Sequence, residues 1–92
     1  MNLLHISHSS ERFDIRPHVA DLIAAHALNR CVMWHRDGMT GLIHPEVLGN
    51  ALDLFHSYET MRQRGRITEL PAAAYTITWD QCFDVQCESD TD

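Results

Sequence analysis

Residues Cys31 to His44 read CVMWHRDGMTGLIH, and this stretch decides the fold. Asp37-Gly38 is a two-residue turn signal between two short runs rich in apolar residues, the pattern of a β-hairpin. Both loop positions of such a turn need positive φ, which Asp and Gly tolerate. Counting outward pairs Arg36 with Met39, His35 with Thr40, Trp34 with Gly41, Met33 with Leu42 and Val32 with Ile43. Cys31 then faces His44. Trp34 stands opposite a strand glycine, so its ring is expected to cover Gly41. A longer loop would exchange the two faces.

Helical patterns flank the hairpin. Upstream, Pro17 suits a first helical position, where its missing N–H costs nothing. Val19, Leu22, Ile23, His26 and Ala27 then form an i, i+3, i+4 stripe, and Asn29-Arg30 ends the helix. Downstream, His44-Pro45-Glu46 opens a second helix, with Leu48, Ala51, Leu52, Phe55 and Tyr58 as its buried stripe. Gly65 is the left-handed residue that stops it.

The ends of the chain read as strands. Leu3 to His8 has apolar residues on both faces near its start, which predicts a strand inside the sheet. Ser9-Ser10-Glu11 reads as a connection. From Tyr75 to Cys87 odd positions are apolar except Gln81, and even positions are polar except Cys82. That alternation predicts a half-buried antiparallel strand, bent near Asp80-Gln81 or divided there into two.

The order is β-α-β-β-α-β. It predicts an α+β fold, a small two-layer sandwich in which two helices pack on one face of a mostly antiparallel sheet. The same order matches a ferredoxin-like arrangement. Residues 1–88 form one domain, and residues 89–92 an acidic frayed tail. A chain of 10.6 kDa buries roughly 64% of its unfolded surface on folding, enough for a modest core.

Composition narrows the function classes. The sequence has neither a signal peptide nor an apolar run long enough for a membrane span, so the expected location is the cytoplasm. Three cysteines without a CxxC suggest free thiols, not a disulfide framework or a zinc knuckle. Lysine is absent and all seven basic residues are arginine, as coding bias in a GC-rich bacterium or its phages would produce. The net charge is -6, yet residues 1–66 balance seven acids with seven arginines. The entire excess lies in residues 67–92, which hold six acids and no base. An acidic chain without a basic stripe is not expected to bind nucleic acid directly.

Asp80, Asp84 and Glu88 share the polar face of the last strand and are the expected contact strip for a basic partner. They recur every ~13 Å on an extended strand, against about 3.4 Å per phosphate of one DNA strand, so strict DNA mimicry is not expected. Arg36 and Asp37, at the hairpin tip, are the remaining partner-binding candidates. Arg62, Arg64 and Arg66 complement the negative end of the second helix. No motif for a hydrolase or a phosphate loop is present.

The seven histidines are the compositional oddity. His5 and His8 would lie on opposite faces of a strand, and His18 and His26 are two helical turns apart. Cys31 and His44 are the best-placed pair, but two ligands fall short of the usual four for zinc. No cofactor and no metal site is therefore expected, with Cys31 and His44 the weak candidates. The expected function is a small non-catalytic binding protein that occupies a basic surface of a larger protein or ribonucleoprotein. A phage or mobile-element inhibitor of a CRISPR effector complex would have this size and acidity. The alternatives are a histidine-rich metal or small-ligand module, and a homodimeric accessory protein joined through a sheet edge or the hairpin.

Overall fold

The computed structural model describes residues 4–84. The hairpin forms as the sequence predicts. β3 (Val32–Arg36) and β4 (Met39–Ile43) pair antiparallel in the predicted register, from Arg36 with Met39 to Val32 with Ile43. Asp37 (φ 47°) and Gly38 (φ 79°) supply the two left-handed loop positions.

β1 (Leu4–Ser7) pairs parallel with β3, and β6 (Phe83–Asp84) pairs antiparallel with β4. The main sheet thus runs β1-β3-β4-β6. This corrects two expectations. β1 is at the edge of the sheet, so its mixed faces do not mark an interior strand. The ferredoxin-like order is also absent: there another strand separates the crossover pair, whereas β1 and β3 are direct neighbours here.

A second, two-stranded sheet joins β2 (Arg12–Asp14) to β5 (Thr76–Thr78). The sequence reading missed β2. Three residues carry too little alternation to register, yet Phe13 and the adjacent Ile15 are fully buried. The alternating stretch after Tyr75 divides at Asp80-Gln81, where a 3-10 turn over Trp79–Gln81 separates β5 from β6. A capping box closes that turn, with Gln81 reaching back to the Thr78 amide (2.9 Å).

α1 (Val19–Ala27) follows a 3-10 turn at Arg16–His18, and α2 (Pro45–Gln63) follows the hairpin directly. Both end in Schellman geometry, with Asn29 (φ 54°) and Gly65 (φ 74°) left-handed. The Arg30 and Arg66 amides reach back to the carbonyls of Ala25 and Met61. The α1 stripe is narrower than predicted. Leu22 and Ala25 are buried, whereas His26 and Ala27 are exposed and Ile23 is 53% exposed.

Both helices cover the sheet face that carries Ile6, Val32, Trp34 and Ile43. Trp34 is the centre of this core. It is fully buried, meets Phe13 and Trp79 edge to face at 4.7 and 4.9 Å, and donates its indole N–H to the His8 carbonyl (3.0 Å). The hydrogen bond satisfies the one polar atom that burying the ring removes from water. Gly41 is covered by the other tryptophan. A Cβ at Gly41 would stand 3.0 Å from the Trp79 ring, so Trp79, not Trp34, lies over the glycine.

Candidate functional site

The division of the last strand rearranges the expected contact strip. Asp80 sits on the 3-10 turn and is exposed. The Asp84 backbone pairs with Gly41 in β6, and Glu88, like Cys87 and the 89–92 tail, is outside the described residues. The regular spacing of a single strand face therefore does not hold between Asp80 and Asp84. At the hairpin tip Asp37 is exposed, but Arg36 is engaged. Its side chain is 15% exposed, its Nε donates to the Ser9 carbonyl (3.3 Å), and Glu11 (3.5 Å) and Asp37 (3.8 Å) flank it. It also lies over the Trp79 ring, 5.1 Å from the centroid.

The turn that displaces Asp80 builds one wall of a cleft of about 750 Å³. Asp80, Gln81 and Cys82 form that wall; Asn29, Cys31, His44 and the first turns of α2, including Glu46 and Asn50, form the rest. The position follows from chain geometry. The hairpin register sets Cys31 beside His44, His44 caps α2, and the capping box turns residues 79–81 toward them. The volume is in the usual range for ligand sites.

Its lining mixes apolar groups such as Pro45 and Val47 with polar ones and two carboxylates, Glu46 and Asp80. Cys31 Sγ and His44 Nδ1 are 3.9 Å apart, a long sulfur contact. Burial pushes the Cys82 thiol up to about 11, so it stays protonated at neutral pH and is a poor nucleophile or metal ligand. Among the described residues, no three His, Cys, Asp or Glu side chains gather closely enough to hold a metal ion. Glu46 and Asp80 are both exposed, and among the described residues no arginine lines the cleft and neither carboxylate has an ion-pair partner. The sequence reading found Asp80, Cys31 and His44 but missed Glu46, Asn50 and Gln81, which only the α2–turn juxtaposition brings together.

A second constellation is on the sheet face away from the helices. His5 Nδ1 and His35 Nε2 are 2.7 Å apart, and His35 Nδ1 is 3.2 Å from the Thr40 hydroxyl. Sequence spacing could not reveal this pair, because it depends on the parallel registration of β1 with β3.

Comparison with protein-family models, curated proteins and solved structures gives no match. No helix among the described residues is long and apolar enough to cross a membrane.

Proposed function

We propose that this chain is a small non-catalytic protein-binding module whose cleft receives a cationic side chain from the basic surface of a larger partner. One observation carries the reading: Glu46 and Asp80 line the same cleft, and among the described residues no arginine lines it. An arginine entering there would meet two carboxylates and the side-chain amides of Asn29, Asn50 and Gln81. Charge-assisted hydrogen bonds of this type are about twice as strong as neutral ones. The negative excess of residues 67–92 extends the attraction and speeds encounter with a basic partner.

In its specific form the partner is a nucleic-acid-handling protein or ribonucleoprotein, and the chain is a phage or mobile-element inhibitor of the anti-CRISPR kind. Small size, acidity and an all-arginine basic complement support this form. The test is fluorescence polarisation with a labelled arginine-rich peptide, paired with capture of partners from a bacterial lysate. Glu46→Gln with Asp80→Asn should weaken peptide binding, reduce its salt dependence and release the captured protein. Undiminished peptide binding by the double variant would overturn the proposal.

A further inference from the structure

The geometry of His5 and His35 points to a second site, and we propose that the pair binds a divalent late transition-metal ion of the nickel and copper class. The rings are only 10° from parallel, with centroids 4.9 Å apart and a 2.7 Å nitrogen–nitrogen contact. That centroid separation is close to the largest that such a contact allows. The imidazoles therefore lie end to end in nearly one plane, not face on face. The two in-plane ring nitrogens face each other across one hydrogen bond, and an ion between them requires the rings to part until each nitrogen stands about 2.0–2.1 Å from it.

Imidazole nitrogen suits nickel, copper and zinc, and copper leads the divalent series in affinity. His35 is already fixed as a metal ligand would be. Its Nδ1 meets the Thr40 hydroxyl, the type of contact that orients a ligating imidazole through its other nitrogen. His35 and Thr40 are direct cross-strand partners in the hairpin, so this support is rigid. His5 is exposed on the edge strand and can retreat to admit an ion. Binding requires one proton shift. The ring that holds the shared proton moves it to its far nitrogen, so that both facing nitrogens offer lone pairs to the ion. No third His, Cys, Asp or Glu joins them among the described residues. The remaining coordination positions stay with water, which makes the ion exchangeable and distinguishes the site from a closed structural zinc centre.

Calorimetric titration of the untagged protein with nickel sulfate alone at pH 7.5 tests the site. One equivalent should bind to the wild type. His5→Gln and His35→Gln should each weaken binding by about tenfold or more, on the scale of lost ligand support. His56→Gln, on the exposed face of α2, and Cys31→Ser should bind as the wild type does. Circular dichroism confirms folding of each variant, and His5→Gln, at an exposed edge position, keeps the test open if His35→Gln does not fold. Wild-type affinity in His5→Gln, loss of binding in Cys31→Ser, or no binding by the wild type would each overturn the proposal.

Discussion

Trp79 lies directly over Gly41, its ring 3.0 Å from the point a Cβ would occupy. The Cys82 Cβ is almost as near, at 3.1 Å. Gly41→Ala should therefore push Trp79 away from its edge contact with Trp34 and lower stability by about 1–3 kcal/mol, the usual cost of overpacking. Urea unfolding followed by tryptophan fluorescence measures both the loss and the altered ring environment.

Phe13 should be among the most costly core positions to truncate. It is fully buried, meets Trp34 edge to face and anchors the short pair of β2 with β5. Phe13→Ala should cost about 3–5 kcal/mol, a large share of what a small domain possesses. Thermal denaturation by circular dichroism should show the variant largely unfolded or melting far below the wild type.

Acid should weaken the fold through Asp14. Its carboxylate receives Arg16 Nε at 2.8–2.9 Å and the Arg16 amide at 2.9 Å. The Arg16 side chain is the main reason that its pKa is held below the usual carboxylate value. A depressed folded-state pKa contributes stability above the unfolded-state value, about 4, and loses it as pH falls through the folded one. Asp14→Asn should remove this part of the acid dependence. The difference in urea midpoint between wild type and variant should shrink from pH 7 toward pH 3.

The Cys82 thiol should resist alkylation. With its pKa raised to about 11 by burial, only about one molecule in a thousand carries the thiolate at pH 8. Brief iodoacetamide treatment followed by peptide mass spectrometry should leave Cys82 unmodified in the folded protein and modified once urea is added.

What the sequence revealed was local. The Asp37-Gly38 turn, the register from Arg36–Met39 to Val32–Ile43, and the α2 boundaries at Pro45 and Gly65 all depend on residues a few positions apart. What escaped it was pairing across distance. β2 finds its partner more than sixty residues later, at β5, and His5 meets His35 only because β1 lies beside β3. The stretch after Tyr75 divides near Asp80-Gln81 as one of its two expected forms, and only the Thr78–Gln81 capping box that makes the division escaped notice. That one turn moved Asp80 from an expected strip to the rim of a cleft. Trp34 was the expected cover for Gly41, because cross-strand opposition gives no information about a ring such as Trp79 arriving from outside the hairpin.

The main sheet is laid down in chain order, β1, β3, β4, then β6, with β6 described over Phe83–Asp84. The wall of the cleft at Asp80–Cys82 immediately precedes that strand. Cleft wall and sheet pairing thus share one short segment, so detachment of residues 79–84 would remove both the wall and the Gly41–Asp84 and Leu42–Phe83 pairing. A ligand held between Glu46 and Asp80 would act as a latch on the sheet, favouring the closed form by mass action. Occupancy of the cleft would then be recorded at a distance from it, as slower hydrogen exchange at the backbone amides where β4 meets β6.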